Sequence, residues 1–419
     1  MKRNITITIF YFFLISASAQ LTLDVCNKKA RENYPLIRQY ELVEKSKSYN
    51  ITNANRGYLP QLSLSAKATY QSEVTEIPIT MPGLNIEGLS KDQYQVVLEL
   101  NQTIWDGGNI RSQKNIYKYS SELEKQQIEA ELYALRERIN QLFFGIILLN
   151  EQLKQNELLN KEFQNSYDRI KALMNNGMAT QADLDAIRVE QLRTAQRKIE
   201  LSSTIKAYTE ILTLFIGEPV SESTILQKPD NKLPETVLIN NNRPELLLFE
   251  AQSSLYESNK KSVNSATMPR LGLFAQAGYG KPGLNMLKNE FSPYFIGGVR
   301  FNWNFGSFYT KDNNIKKLDL SIEKTELQKQ VFLFNSDVKV SQQMNEIQKM
   351  IEILQSDDEI IGLRGNIKKT AQIRVENGTL SVTDLIREIN AEYLAIQEKV
   401  LHEIQLLIGV ENLKTTLNN

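Results

Sequence analysis

The sequence has few of the residues on which catalytic and metal sites most often depend. It contains one cysteine, Cys26, and one histidine, His402, in 419 residues. A single cysteine excludes an internal disulfide, and a lone histidine cannot supply a typical zinc site. Gly-rich phosphate loops and the G-x-S-x-G motif are also absent. We therefore predict a protein that is not an enzyme and binds no cofactor, with His402 a partly exposed residue of the last helix.

Net charge and long apolar runs are absent as well. The 49 basic and 49 acidic residues balance, which argues against nucleic acid as a partner. Beyond the N-terminal segment, no apolar run reaches the roughly 20 residues that a membrane helix needs. Membrane-spanning helices are therefore not predicted. Membrane β-strands stay open, because their alternating residues average out in hydropathy.

The N-terminal segment is typical of a secretory signal peptide. Two basic residues precede the apolar run 5–15, and an A-x-A pattern ends at Ala19. We expect cleavage after Ala19, which makes 1–19 the signal peptide of an exported protein. Cys26 lacks the small neighbours expected before a lipid-attachment cysteine, so we interpret it as a buried helix thiol.

The chain contains two copies of one unit. Pro35 and Pro60 recur as Pro244 and Pro269, displaced by the same number of positions, and strand-like residues follow in both copies. Internal similarity of this kind indicates repeated structural units. The predicted segments are a first repeat at 20–217, a connector at 218–240, a second repeat at 241–412 and a tail at 413–419.

Four segments alternate between apolar and polar residues in the manner of membrane strands. Leu62 and Leu64 fall on one face of the first segment, while Ser63 and Ser65 fall on the other. Aromatic residues cluster near the segment ends, as in the girdles of membrane barrels. Taken alone, the pattern also fits two hairpins of a soluble sheet. The predicted strands are about 58–72, 93–105, 269–281 and 293–306.

Long heptad helices favour the membrane interpretation. Apolar residues in 128–153 recur at alternating steps of four and three, the pattern of a helix that supercoils with its neighbours. Each repeat predicts one uninterrupted helix of roughly 100 Å, too long for a compact domain of this size. The predicted helices are about 22–56, 109–176 and 180–216 in the first repeat, and about 241–267, 311–376 and 380–410 in the second.

Oligomerisation follows from the number of strands. Four strands per chain cannot close a membrane barrel, because known barrels have about eight strands or more. An open sheet edge is not tolerated in lipid. The sequence therefore predicts an assembly of several chains.

The order and duplication of these features resemble the TolC-like outer-membrane efflux protein family. The matching residues are Leu21-Thr-Leu-Asp24, Asn33-Tyr-Pro35, the Leu-Pro-x-Leu strand entry at 59–62, Trp105-Asp-Gly-Gly108, and the glycine-then-aspartate turns at 177–183 and 378–384. The resemblance implies an α+β membrane protein built as a homotrimer, with four strands per chain in a twelve-stranded outer-membrane barrel. Long coiled-coil helices would form a periplasmic α-barrel below it.

The resemblance also implies a function. The trimer would be the outer-membrane exit channel of a tripartite efflux pump, a passive conduit for small molecules across the periplasm and the outer membrane. Its partners would be a periplasmic adaptor protein, an inner-membrane transporter and outer-membrane lipid. An alternative with the same fold is the outer-membrane component of a type I protein secretion system. An alternative of a different class is a non-conducting periplasmic coiled-coil scaffold.

Two matching turns supply the candidate functional residues. Both contain the Ser/Thr-x-x-Asp pattern of a helix N-cap, and capping by itself explains them. The resemblance implies in addition that Asp384 faces the pore at the periplasmic tip, where symmetry would form a ring of carboxylates that binds cations. The candidates are Gly177, Thr180 and Asp183 in the first turn, and Gly378, Ser381, Asp384 and Arg387 in the second.

The turns also depart from the family pattern. The family has an arginine at the position of Leu380, an aspartate at that of Arg387 and an aromatic residue at that of Val375. Asp183 matches an aspartate that pairs with the missing arginine to latch the tip. A ring that combines Asp384 with Arg387 would be less selective for cations than a ring of carboxylates alone.

Overall fold

A computed structural model describes residues 21–75, 88–221, 224–230 and 241–418. The predicted signal peptide and much of the predicted connector lie outside these residues. The helices are α1 (Leu23–Asn33), α2 (Gln39–Asn55), α3 (Asn109–Asn175), α4 (Gln181–Ile216), α5 (Pro244–Ala266), α6 (Ser307–Glu376) and α7 (Val382–Leu417), and the strands are β1 (Gln61–Tyr70), β2 (Asp92–Trp105), β3 (Arg270–Lys281) and β4 (Ser292–Asn302). The predicted combination of long helices with a small sheet is confirmed.

The four strands form one antiparallel sheet in the order β1-β2-β3-β4. The register aligns Leu64 with Leu98 across β1 and β2, and Leu98 with Ala277 across β2 and β3. Phe295 continues this row on β4. Because side chains alternate along each strand, the aligned apolar residues share one face of the sheet, and residues such as Ser65 share the other.

The first predicted helix, 22–56, is divided into two helices. Tyr34 and a 3-10 turn at Pro35–Arg38 separate α1 from α2. Proline has no amide hydrogen and disfavours helical geometry in the residue before it. Tyr34 accordingly has an extended backbone, with φ −64° and ψ 130°.

The last helix is longer than predicted. α7 runs to Leu417 and includes most of the predicted tail 413–419. Leu413 and Leu417 are buried in a cluster with Ile347 of α6, and this packing stabilises the additional turns. A Cβ atom at Gly409 would lie 3.0 Å from Ile347, so this glycine allows close helix packing and does not end the helix.

The strand-to-helix turn of the second repeat lies earlier than predicted. β4 ends at Asn302 and not at 306, and α6 begins at Ser307 and not at 311. The indole N–H of Trp303 donates a hydrogen bond to the Thr267 carbonyl at 3.0 Å. The last strand pair is Arg270 with Asn302, and Pro269 before Arg270 has no amide hydrogen with which to extend the ladder towards Trp303.

The chain divides into two compact units. The helical unit consists of Met1–Ile37, Ala130–Arg243 and Phe332–Asn419, and the sheet unit consists of Arg38–Glu129 and Pro244–Val331. All four strands belong to the sheet unit, and both candidate turns belong to the helical unit. Among the described residues, no helix combines the length and the apolar character needed to cross a membrane.

The helical unit has an apolar core around α3. Leu135, Ile139 and Ile146, which belong to the predicted heptad stripe, are buried. Phe143 and Phe144 are also fully buried, although the heptad pattern does not include them. The stripe is wider here because residues of α1, α4 and α7 join the same cluster and cover α3 on more than one side.

Candidate functional site

The first candidate turn connects α3 to α4. Gly177 has φ +77°, a left-handed conformation that side chains rarely adopt, so glycine suits the reversal. The Thr180 hydroxyl accepts a hydrogen bond from the Asp183 amide at 3.3 Å. The Asp183 carboxylate accepts one from the Thr180 amide at 2.9 Å. These reciprocal bonds form a capping box at the start of α4.

The second candidate turn connects α6 to α7 and adds an ion pair to the cap. Gly378 has φ +68°, and the Ser381 hydroxyl accepts a hydrogen bond from the Asp384 amide at 3.1 Å. The same hydroxyl donates to the Asp384 carboxylate at 2.7 Å. Arg387 lies 3.0 Å from that carboxylate. The Ser381 hydrogen bond and the Arg387 charge hold the pKa of Asp384 below its usual range.

The two carboxylates differ in their surroundings. The Arg387 guanidinium lies beside Asp384 and also 3.4 Å from Glu388. Asp183 is held by the amide and the hydroxyl of Thr180, at 2.9 and 2.7 Å. In the second turn, therefore, a neighbouring cation, Arg387, compensates the charge of the Asp384 carboxylate.

Both turns pack on one apolar cluster. Leu380, which stands where the family has an arginine, contacts the cluster as a partly buried side chain. Val375, which stands where the family has an aromatic residue, is buried in it. Apolar packing thus occupies both of these positions. The four helices contribute the buried residues Ile170, Leu184, Val375 and Leu385, among others.

Buried neutral side chains connect α3 with α4. The Asn156 amide donates to the Thr194 carbonyl at 2.9 Å, and the Thr194 hydroxyl donates to the Asn160 side-chain carbonyl at 2.9 Å. The Gln191 amide donates to the Gln164 side-chain carbonyl at 2.9 Å. We call these five residues the amide ladder. Asn156, Thr194 and Gln191 are buried, so the ladder lies within the helix contact.

Sequence reasoning missed the amide ladder although a signal was present. The heptad steps of four and three continue from Leu153 through Asn156 and Asn160 to Phe163. Polar residues at such core positions fix the register of paired helices. The polar interruption of an apolar stripe was therefore the feature to notice.

Ion pairs connect α6 with α7. We call them the ionic ladder, and the pairs are Lys368–Glu392 at 2.6 Å and Lys399–Asp358 at 2.5 Å. Beside them, His402 Nδ1 lies within hydrogen-bond distance of the Asp357 carboxylate, at 2.8 Å. The side chain of His402 is 22% exposed, in agreement with the predicted partial exposure, and that of Asp357 is 7% exposed. The hydrogen bond to Asp358 raises the pKa of Lys399.

The remaining reactive groups have structural surroundings. Cys26 is fully buried, and burial raises the pKa of its thiol to about 12, which makes the thiol an inert core group. The interpretation of Cys26 as a buried helix thiol is therefore confirmed. Within the described residues, no cluster of three or more His, Cys, Asp or Glu side chains is arranged to hold a metal ion.

One family of known proteins is similar to this chain. Residues 27–218 match the family model of the outer membrane efflux proteins. No curated protein matches the chain significantly. The resemblance to this family that the motifs indicated is confirmed by the family model.

Several solved outer-membrane channels share the fold. The chain is similar to CusC at 14% identity, with a TM-score of 0.69 over 95% of this chain and 92% of that chain. It is similar to VceC from Vibrio cholerae at 12% identity, with a TM-score of 0.67 over 94% of each chain. MtrE from Neisseria gonorrhoeae has 14% identity and a TM-score of 0.67, over 95% of this chain and 89% of that chain. At these identities the similarity establishes the fold.

Proposed function

We propose that this chain, which resembles the outer membrane efflux proteins over 27–218 and has the fold of solved outer-membrane channels, is the exit channel of a tripartite efflux pump. It lies in the outer membrane, extends into the periplasm and works as a homotrimer. It is a passive conduit for small molecules. Its proposed partners are a periplasmic adaptor protein and an inner-membrane transporter.

The apolar face of the sheet is the observation that carries the proposal. Leu64 and Phe295 on this face are 71% and 70% exposed, and Val299 and Phe301 are exposed to a similar degree. A continuous apolar face of this kind is unfavourable in water and matches the lipid-facing side of a membrane barrel. The opposite face, which includes Ser65, is mainly polar, with Val97, Phe274 and Ile296 as its large apolar residues, and suits a water-filled lumen.

The edges of the sheet support assembly with further copies. β1 and β4 are the edge strands, and in the described chain each pairs on one side only. Unpaired backbone groups at a sheet edge are unfavourable in lipid. In a trimer, β1 of one copy would pair with β4 of the next, and the twelve strands would close the barrel.

Exposed apolar residues on the helical unit support the same assembly. Ile199 and Leu214 of α4 and Phe334 and Val338 of α6 are exposed. The α6 residues follow one another at a heptad step of four, which suits contact with a further helix. Contacts around a closed ring of identical chains would cover these side chains.

We further propose that Asp384 and Arg387 line the periplasmic constriction. Asp384 lies on the first turn of α7 and Arg387 on the second, and residues at i and i+3 share a helix face. A ring of three such pairs would bind multivalent cations at the carboxylates. The first turn, with Gly177, Thr180 and Asp183, would shape the tip through its capping box.

Conductance separates a gate role of Asp384 from capping alone. Asp384→Asn keeps a side chain that can bond to the cap, so the protein should fold, and block by a trivalent cation should weaken. Arg387→Asp should strengthen the block, because it adds a second carboxylate ring. The measurement is planar-bilayer conductance with and without the cation. Unchanged currents and unchanged block in both variants would leave Asp384 as a cap.

Arginine substitutions test the channel function itself. Leu64→Arg should impair membrane insertion, because an arginine on the lipid face at mid-bilayer costs about 2–4 kcal/mol. Ser65→Arg is the matched control on the other face and should insert normally. In β4, Phe301→Arg should likewise impair insertion, and its control Asn302→Arg should insert normally. Outer-membrane fractionation and single-channel conductance provide the measurement. Equal tolerance of both faces contradicts the barrel, and a soluble, non-conducting wild type indicates a scaffold.

A further inference from the structure

The polar face of the sheet carries an excess of positive charge. In the described strands, the charged residues on this face are Lys67, Glu99, Arg270 and Arg300. The apolar face has charged residues only at strand ends, namely Asp92 and Lys281. Three cations against one anion is an uneven distribution in a chain whose acidic and basic residues balance overall.

Arg300 and Glu99 compensate each other. Arg300 Nη2 lies 3.3 Å from Glu99 Oε1, and Arg300 Nη1 donates to Asn101 at 3.2 Å. The Arg300 guanidinium also lies 4.9 Å from the centre of the Phe274 ring, a favourable cation–π distance. These contacts hold the Arg300 side chain along the sheet and use the charge of Glu99.

Lys67 and Arg270 have no such partner. In the part of the chain that the structure describes, neither side chain forms an ion pair or a hydrogen bond, and both are exposed. Asp106, which lines the same surface depression as Arg270, is buried. Its two carboxylate oxygens accept hydrogen bonds from the amides of Gly108 and Ile110, at 2.9 and 2.5 Å. It therefore caps α3, and both of its oxygens are occupied by backbone amides.

Small residues lie beside these cations. Gly272 and Gly298 occupy neighbouring positions on the polar face and contribute no side chain. A Cβ atom at Gly272 would approach the Gln102 carbonyl to 3.0 Å, so close strand contact favours glycine there, while the Phe274 ring covers the space at Gly298. Arg270 is exposed next to Gly272, so a solute at this face would meet its guanidinium group.

We propose that Lys67 and Arg270 make the channel favour anionic solutes over cationic ones. This inference rests on the proposed function, in which the polar face lines the lumen and each residue occurs three times. Fixed charges along a water-filled pore raise the local concentration of counter-ions and set its selectivity, and lumen residues tune the selectivity of membrane barrels. The Asp384 carboxylate is compensated by Arg387, so it opposes this preference only weakly.

The test is the zero-current potential of the purified trimer in a planar bilayer under a KCl gradient. The wild type should pass Cl⁻ in preference to K⁺. Lys67→Gln with Arg270→Gln should lower the Cl⁻/K⁺ permeability ratio by roughly twofold or more, since six lumen charges are lost from the trimer. Lys281→Gln is the control. It removes one positive charge per chain from the apolar face, and it should leave the permeability ratio unchanged.

The outcomes separate the inference from the function on which it rests. A conducting wild type that prefers K⁺, or a double variant with the wild-type ratio, would overturn the anion preference and leave the channel function intact. A wild type that forms trimers in the outer membrane but does not conduct would overturn the channel function and the preference together. An equal shift in Lys281→Gln would show that overall charge, and not the polar face, sets the ratio.

Discussion

The helix pairs α3–α4 and α6–α7 occupy equivalent places in the two halves of the chain, and different chemistry joins their helices. α4 and α7 each have 36 residues. In each pair a glycine turn connects the two helices, and the second helix has a side-chain N-cap. The amide ladder joins α3 to α4 through neutral buried groups, next to one exposed ion pair between Glu157 and Lys198. The ionic ladder joins α6 to α7 through charged groups.

The two ladders should respond differently to their surroundings. A buried amide network fixes one register, because a shift of either helix leaves polar groups without partners. Partly exposed ion pairs weaken with added salt. They can also exchange partners: Lys368 lies 2.6 Å from Glu392 and 3.9 Å from Glu162. We infer that the contacts of α6 with α7 rearrange more easily than those of α3 with α4.

Glycine positions in the long helices agree with this difference. A Cβ atom at Gly145 of α3 would lie 2.7 Å from the Tyr208 ring, so packing requires the glycine. A Cβ atom at Gly362 of α6 would meet no described atom within 4 Å. Glycine in a helix interior lowers helix stability. Gly362 is therefore a point of low helix stability that packing does not explain.

Charge reversal in the ionic ladder should have the largest effect. Lys368→Glu would bring a third carboxylate beside Glu392 and Glu162 in a half-buried site. We expect the free energy of unfolding to fall by about 2–4 kcal/mol, measured as denaturant unfolding by far-UV circular dichroism. The double variant Lys368→Glu with Glu392→Lys should recover most of the loss. A double variant that recovers nothing would show that the pair does not stabilise the contact.

Removal of a buried amide should have the next largest effect. Asn156→Ala removes the hydrogen bond to the Thr194 carbonyl and should lower the free energy of unfolding by about 1–3 kcal/mol. This loss should be independent of salt, in contrast to the effect of Lys368→Glu. A salt dependence equal to that of the ionic ladder would remove the distinction between the two helix pairs.

An apolar replacement at the same position tests the register. Asn156→Leu fills the space and should preserve most of the stability, while helix sliding increases. Cysteines introduced at Glu157 and Lys198, whose charged groups lie 2.8 Å apart, report the native register through a short bis-thiol cross-linking reagent. Asn156→Leu should slow this cross-link relative to the wild-type ladder. Equal rates would assign the register to the apolar residues alone.

Alanine at the two glycines should have effects of opposite sign. Gly145→Ala must displace the Tyr208 ring, and overpacking of this kind costs about 1–3 kcal/mol. Gly362→Ala meets no obstacle and should raise the free energy of unfolding by about 0.5–1 kcal/mol. Thermal unfolding of both variants checks the prediction. The same sign in both would mean that the two helices use glycine alike.

The acid response of the second turn should be the smallest effect. The pKa of Asp384 lies below its ordinary value of 3.8, so its stabilisation is present above that value and is lost as the pH falls through the lower folded pKa. The free energy of unfolding of Asp384→Asn should therefore fall less steeply than that of the wild type as the pH drops below about 4. Arg387→Gln should give an intermediate profile, because it removes the charge but keeps the Ser381 bond. Identical acid profiles in all three proteins would contradict the effect of the cap.

Much of the fold was predictable because the deciding patterns are local. Alternation along β1 separates Leu64 from Ser65, and heptad spacing in α3 identifies Leu135 and Ile139 as buried. The break at Pro35 was equally accessible. It follows from the restriction that a proline places on the residue before it. The prediction of one helix over 22–56 did not take Pro35 into account.

The candidate site was predictable to a smaller extent. The Thr180–Asp183 cap follows from a spacing of three residues, as does the contact of Asp384 with Arg387. The burial of Leu380 was not accessible, because it depends on side chains of four different helices. The pairs of the ionic ladder were hidden for the same reason, since charged residues on long helices usually face water.

By itself, the sequence determined which segments are helices or strands, which face of each strand is apolar, and that both turns are capped. These properties depend on residues within a few positions of one another, so their spacing records them. The tertiary structure decided that β2 pairs with β3, that α7 continues past Gly409 to Leu417, and that a buried amide network joins α3 to α4 while several ion pairs join α6 to α7. Those outcomes depend on contacts between residues far apart in the chain, and no local period encodes which distant partner a side chain meets.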